Sequence, residues 1–262
     1  MQFEKSTLEK YPSLGKLLDV PPENVVESHD GREITLLRYI YNHPNLDSEL
    51  RGSPKAILAA MDEFAAKEDF LISIGPDKAA TMVGLIQKHR PKVLVELGAY
   101  VGYSAILFGS AIRDINTEDA EERSIRVYSI ELDPLIASIA MNFVSLAGLS
   151  DIVEVVVGPS DHTLRRLHSQ KRLVSGGIDM LFVDHVEDLY KRDVELCENL
   201  GLLDKEGCLV VADNVVRPGA PMYREYVRSN SRFGHSWGVS GLIIPGDIED
   251  ELEISQVGHL DK

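Results

Sequence analysis

From residue 92 onward the chain alternates two patterns, and this alternation restricts the fold more than any other feature. Short apolar runs rich in Val, Ile and Leu cover residues 93–95, 125–130, 152–157, 178–183 and 208–212. Between them lie stretches with helical spacing, over residues 103–112, 134–147, 160–173 and 189–200. Apolar runs without polar alternation suit strands buried on both faces, and strands joined through helices run parallel. The expected fold class is α/β, a mostly parallel sheet with helices on both faces. Ligands of such sheets bind beyond the carboxyl ends of the strands, so the residues just after each run carry the functional argument.

Upstream the pattern is helical. Ser53-Pro54 opens a helix with Ser as cap and Pro in the first turn, and Ile57, Leu58, Met61, Phe64 and Ala65 follow at helical spacing. Further helices are expected over residues 35–42 and 77–89. Residues 1–30 read as irregular, broken by Pro12, Pro21, Pro22 and Gly31. The division expected is an N-terminal arm, 1–33, and one domain, 34–262. Residues 113–126 are acidic and read as a surface excursion. In the acidic tail, Leu252, Ile254 and Val257 are spaced as in a strand.

A formal net charge of -15 disfavours nucleic acid and anionic membranes as partners. There is no apolar segment of membrane-spanning length and no leader-like N-terminal run. Cys197 and Cys208 fit neither a disulfide framework nor a zinc spacing and read as buried thiols. A cytoplasmic protein, monomer or homodimer, is the expectation.

The first strand end reads Val95-Glu96-Leu97-Gly98-Ala99-Tyr100-Val101-Gly102-Tyr103-Ser104. Gly98 and Gly102 permit a tight turn and close approach to a backbone, and the next helix offers free amides. The spacing is G-x-x-x-G, not the G-x-G-x-x-G of dinucleotide binders, which argues against a nicotinamide dehydrogenase. Taken alone it is a nucleotide loop or simply a turn. Glu131, ending the second strand, can accept ribose hydroxyls. Ser160 and Asp161, after the third, either border an adenine or cap a helix. Asp184 ends the fourth strand and Asp213-Asn214 the fifth. Two carboxylates and an amide suit a hard cation such as Mg2+, but a helix cap and an Asx turn would use the same residues.

The segments VLVELGAYVGYSA, SIELDP, VVVGPSD, DMLFVDH and VVADNVVRPGAP stand in order at successive strand ends. Together they resemble the catechol O-methyltransferase family over residues 34–257. The resemblance implies a Rossmann-like methyltransferase fold with a seven-stranded sheet and extra N-terminal helices. It implies S-adenosylmethionine as donor, Mg2+ as cofactor and a catechol-like aromatic diol as acceptor. Ile74, Glu96, Gly98, Tyr100 and Ser104 would line the methionine end of the donor. Glu131 would hold the ribose, Ser160 and Asp161 would lie near the adenine, and His185 near the cofactor, with Asp184 close by. Asp184, Asp213 and Asn214 would bind Mg2+. Phe70 and Pro218, with Asn214, would face the acceptor.

The resemblance breaks on the acceptor side. The family's metal loop reads Asp-His-x-Lys-Asp, the lysine being the general base, whereas here it reads Asp184-His185-Val186-Glu187-Asp188. Glu187 thus stands at the catalytic position with reversed charge, and Val186 where the family has an aromatic residue. The family's late acid would fall near residues 240–245, where there is none. Glu187 is open to several roles: base, substrate contact, further metal ligand or solvated helix-start acid. Lys191, one turn on, would replace the lysine only if it faced inward. The alternative function is therefore a donor-binding homologue with a different acceptor or non-transferring chemistry, and a third is a non-enzymatic binding protein.

Overall fold

The computed structural model describes residues 3–116 and 125–259. The N-terminal part contains α1 (Lys5–Lys10), α2 (Arg32–Tyr41), α3 (Pro54–Lys67) and α4 (Gly75–His89). Ser53 caps α3 as expected, its Oγ accepting from Ala56 N at 3.3 Å. The alternating region follows as β1 (Val93–Leu97), α5 (Tyr103–Ile115), β2 (Arg126–Glu131), α6 (Pro134–Leu146), β3 (Val153–Val157), α7 (Ser160–Ser169), β4 (Met180–Val183), α8 (Tyr190–Asn199) and β5 (Leu209–Ala212). It ends with α9 (Pro221–Ser229) and a hairpin of β6 (Phe233–Ile243) and β7 (Ile248–Val257).

The seven strands form one sheet in the order β3-β2-β1-β4-β5-β7-β6. The first five are parallel, and β7 joins β5 antiparallel. The central strands β1, β2, β4 and β5 are near-continuously buried, and side chains of β1 and β4 alternate between two cores: Leu94, Met180 and Phe182 on one face, Val95, Leu97, Leu181 and Val183 on the other. Leu97 is in register with both Ile130 and Val183, and Val183 with Ala212. The loops after β1, β2, β4 and β5 therefore open along one edge. Strand order reverses between β1 and β4, the place where such sheets leave a crevice.

Three expectations need correction. The arm is not irregular throughout, because it holds α1 and two short 3-10 turns. Residues 113–115 continue α5 rather than opening a loop, while Glu118, Asp119, Glu121 and Glu122 lie outside the described residues. Strand β6 does not show in the sequence because its Gly, His and Ser positions, four of the six exposed, mask the alternation. Cys197 and Cys208 are buried free thiols. Among the described residues no helix is long and apolar enough to cross a membrane.

The arm is fastened to the body at several points. Tyr11 Oη donates to Asp247 Oδ1 at 2.6 Å, and the buried Ser13 Oγ donates to Ala65 O at 2.6 Å. Arg32 is buried, donates to Val26 O at 2.6 Å and Phe70 O at 2.9 Å, and stacks 3.9 Å from the Phe70 ring centre.

Candidate functional site

A cavity of about 920 Å3 lies over the carboxyl edge of the sheet, between the strand-end loops and the arm. Of the residues singled out in the sequence, Phe70, Ile74, Gly98, Tyr100, Ser104, Glu131, Ser160, Asp161, Asp184, His185, Glu187, Asn214 and Pro218 line it. Glu96 and Asp213 do not; both lie immediately behind its wall, fully buried.

The loop after β1 needs its glycines. Gly98 has φ +100°, and a Cβ there would overlap the carbonyl oxygen of Asp184. The close approach is to the chain's own β4 loop. Gly102, at φ +87°, packs so that a Cβ would sit 3.1 Å from Ala140 Cβ. Tyr100 N donates to Glu131 Oε2 at 2.8 Å, and Asp133 N to Glu131 Oε1 at 2.9 Å. Glu131 is thus held at the strand end by two backbone amides, with burial raising its pKa against their opposing effect. The Tyr100 hydroxyl donates to Glu33 Oε1 at 2.9 Å.

Behind this loop, burial pushes Glu96 up to about 7, although the Ser129 and Ser104 hydroxyls bond to it. Its Oε1 has no partner. Ser160 is the first residue of α7 and makes no cap; its hydroxyl donates instead to Asp193. His185 Nε2 lies 2.8 Å from Asp193 Oδ2, and its ring stacks on Tyr190. Burial alone would raise Asp193, but the bonds from His185, Arg192 and Ser160 bring it down to about 2.

At the ends of β4 and β5 the cavity wall consists of Asp184, Asn214 and Lys78. The Lys78 ammonium is bonded to Asp213 Oδ1, behind the wall, and reaches Asp250 Oδ2 at 3.0 Å. Burial would lower its pKa, but Asp213, Asp250 and Asp184 together raise it, so it is a fixed cation rather than a base. Asp184 is pushed well above the carboxylate range by burial and by the charge of Asp213. Asp250 is buried and accepts four bonds: Val216 N at 3.2 Å, Arg217 N at 2.9 Å, Asn214 Nδ2 at 3.2 Å and Lys78. With Nδ2 committed to Asp250, the amide oxygen of Asn214 is the atom left for a cation.

Among the described residues no group of three His, Cys, Asp or Glu side chains could hold a metal ion. The donor set here is of another kind, two carboxylates and an amide. When all are ionised, Asp184, Asp213 and Asp250 exceed Lys78 by two negative charges. A hard divalent cation is chemically suited to such a set, because it would relieve the repulsion that raises Asp184.

On the remaining wall, Glu187 begins a one-turn 3-10 helix and is half-buried, its pKa raised by burial and by Glu27 and Asp188. Lys191 does not line the cavity; it lies 3.8 Å from Glu195 and over the Tyr226 ring. It cannot stand in for the missing lysine. Residues 240–245 contribute Ile243 and Pro245 and no acid.

Lys78, Asp193 and Asp250 were not anticipated, yet two of them carried a signal. Lys78 falls on the apolar stripe of α4 with Ala79, Met82 and Ile86. Asp250 shares the inward alternation of Leu252 and Ile254. An ionisable residue on a core-facing stripe must have a partner inside.

A methyltransferase-domain family profile matches residues 95–215. The chain is 35% identical to the catechol O-methyltransferase of Bos taurus over 202 residues, covering 77% of this chain and 68% of the relative. It is 31% identical to catechol O-methyltransferase B of Danio rerio, over 90% and 84% of the two chains. The crystal structure of a Bacillus cereus O-methyltransferase with S-adenosylhomocysteine has the same fold, with TM-score 0.62, 18% identity and coverage of 96% and 99%. A glycine loop, a strand-end carboxylate and an acid cluster on one sheet edge, joined to these likenesses, lead to one statement: the chain belongs to the catechol O-methyltransferase family and is an S-adenosylmethionine-dependent O-methyltransferase.

Proposed function

We propose that the enzyme methylates a hydroxyl of a catechol-like aromatic diol held at a Mg2+ site formed by Asp184, Asp213 and Asn214. The observation that carries this reading is the cluster of Asp184, Asp213 and Asp250, three acids against the single cation Lys78, set beside the glycine loop at the wall of one cavity. Mg2+ bound there would supply Lewis acidity, lowering the pKa of an acceptor hydroxyl.

The chain's own residues do the rest. Glu131 takes the donor's ribose hydroxyls on lone pairs not used by Tyr100 N and Asp133 N. Ser160 and Asp161 border the adenine, with His185 held in place by Asp193. Ile74, Gly98, Tyr100 and Ser104 enclose the methionine end, with Glu96 supporting them from behind. Phe70, its ring clamped under Arg32, and Pro218 flank the acceptor. Aligning the acceptor oxygen with the methyl group is itself a large part of the catalysis. Glu187 stands where the acceptor proton leaves. Burial raises its pKa, a nearby Mg2+ would oppose that shift, and the ionised carboxylate is the form that accepts a proton.

The test is methyl transfer from S-adenosylmethionine to pyrocatechol and substituted catechols, read by product mass. EDTA and Asp184→Ala should each lower the rate by about 10^2- to 10^3-fold, equivalent to several kcal/mol. S-adenosylhomocysteine binding should survive both. Transfer that is insensitive to EDTA, or no turnover across the catechol panel with Mg2+ present, would overturn the proposal. A product of unchanged mass but altered structure would favour the non-transferring chemistry that Glu187 leaves open.

A further inference from the structure

The arm contributes a wall to the cavity, and that wall is hydrocarbon. Leu14 and Leu17 come from the turn after Tyr11, and across from them stand Ile243 and Ile248 at the β6–β7 turn. The two segments meet: a Cβ built on Gly246 would touch both Ile248 and Leu14, at 3.3 and 3.9 Å. Ile72 and Val186 line the cavity as well, yet they are 43% and 56% exposed. None of these six side chains carries a polar atom.

This wall is built rather than draped. Lys10 Nζ reaches Asp247 Oδ2 at 2.7 Å beside the Tyr11 bond, Ser13 is bonded into α3, and Lys16 pairs with Asp69 at 3.0 Å. The arm therefore holds its leucines against the hairpin turn at a set distance from the acid cluster. In a chain of net charge -15, large apolar side chains left partly open around one cavity mark a surface that a ligand covers. The family's donor is polar over most of its length and is already served by the strand-end loops. The hydrocarbon wall shares the cavity with Phe70 and Pro218.

We propose that the natural acceptor is an aromatic diol bearing a sizeable apolar substituent, alkyl or aryl, which lies against the wall that the arm and the β6–β7 turn form together. This rests on the diol reading above. The carboxylates that share the cavity are Glu27, Glu131, Asp133, Asp161, Asp184 and Glu187, with Lys78, Arg192 and Arg217. Glu27 and Glu187 are the competing feature, since a pair of carboxylates would welcome an ammonium group instead, and the experiment sets the two against each other.

The full chain, saturated with S-adenosylhomocysteine and Mg2+, is titrated calorimetrically with pyrocatechol, 4-propylcatechol, 4-hexylcatechol and 4-(2-aminoethyl)catechol. Affinity should rise about two- to fourfold per methylene from pyrocatechol to the hexyl compound, as expected for methylenes leaving water. The aminoethyl compound, nearly isosteric with propyl, should bind more weakly than propyl. Leu17→Asp, at a partly open position, should shrink the hexyl-to-pyrocatechol ratio, with an unchanged melting temperature showing that the chain still folds. A flat or falling series, an aminoethyl compound tighter than propyl, or a Leu17→Asp ratio equal to wild type would each overturn the proposal. If no catechol binds although S-adenosylhomocysteine does, the diol reading fails and takes this one with it. If all bind equally, the diol reading stands and only this one fails.

Discussion

On the proposed donor side of the cavity the polar side chains are tied down by their own chain. Glu131 is gripped by two backbone amides, and Asp193 gathers Ser160, His185 and Arg192. On the acceptor side, Glu187 has no ion pair among the described residues, and Val186 projects into solvent. Leu14 and Leu17 of the arm and Ile243 and Ile248 of the hairpin, far apart in sequence, add an aliphatic stretch to that wall. The contrast has a physical reason. A single donor rewards a rigid arrangement whose hydrogen bonds are made before it arrives. An acceptor pocket of carbon on loop-borne segments can change shape without leaving a buried polar group unsatisfied. Departures from the family pattern at Val186, Glu187 and residues 240–245 accumulate where they unsettle the fold least.

The acid cluster sits on the border, and Asp250 ties it to the acceptor loop. Asp250→Asn keeps the size but removes the charge that holds Lys78, the Asn214 amide and the amides of Val216 and Arg217. Supporting residues of this kind are worth about 10- to 100-fold in metal affinity. Mg2+ affinity should fall by that factor, while affinity for S-adenosylhomocysteine in the absence of metal should stay within about twofold. Excess Mg2+ should restore turnover. Calorimetry with each ligand checks the division, and equal losses for both would show that the two walls are one cooperative unit.

A smaller effect sharpens the donor side. Glu96 is raised to about 7 chiefly by burial, from an ordinary value of 4.5. The folded chain therefore holds this proton more tightly than the unfolded chain. Its contribution to stability is greatest below the unfolded value and is lost as pH rises from about 4.5 to about 7. At about 1.4 kcal/mol per pK unit, the loss amounts to about 3 kcal/mol. Glu96→Gln should remove most of that slope, so that denaturant unfolding between pH 4.5 and pH 8 shows a smaller decline than wild type. A residual decline is expected, because burial also raises Glu131 and Asp184. An unchanged slope would mean that Glu96 is not a source of the donor wall's buried charge.

The same division governs what could be read from the sequence. The parallel strands and the strand-end residues were legible because periodicity and the order of glycines and acids are local. Ser53 declared its cap in the same way. Lys78 and Asp250 were not, since a lysine from α4 meets an aspartate from β7 only after the sheet is assembled. The sequence offers Asp213 as a Mg2+ ligand, and that it also holds the Lys78 ammonium is hidden for the same reason. The arm's contribution was hidden most deeply: Leu14 and Leu17 sit among prolines and glycines, where no periodicity says what they cover. The substitution at Glu187 was plain in the sequence, but its half-buried setting beside Glu27 was not.

The gentlest test addresses the arm's attachment. Tyr11→Phe removes one hydrogen bond, 2.6 Å long, to Asp247. Lys10 still reaches the same carboxylate at 2.7 Å, so the arm should remain attached. A bond to a carboxylate at a partly open site contributes on the order of 1 kcal/mol, and some of that will be spread over arm positions that no longer hold Leu14 and Leu17 against the hairpin. The expected result is a KM for an alkyl-substituted catechol raised by less than about fivefold, with kcat and S-adenosylhomocysteine affinity unchanged. The asymmetry is the informative part. Were S-adenosylhomocysteine affinity to fall along with acceptor affinity, the arm would belong to both walls. Tyr100, whose hydroxyl is bonded to Glu33 at the end of the arm, would then be the route by which the donor side senses it.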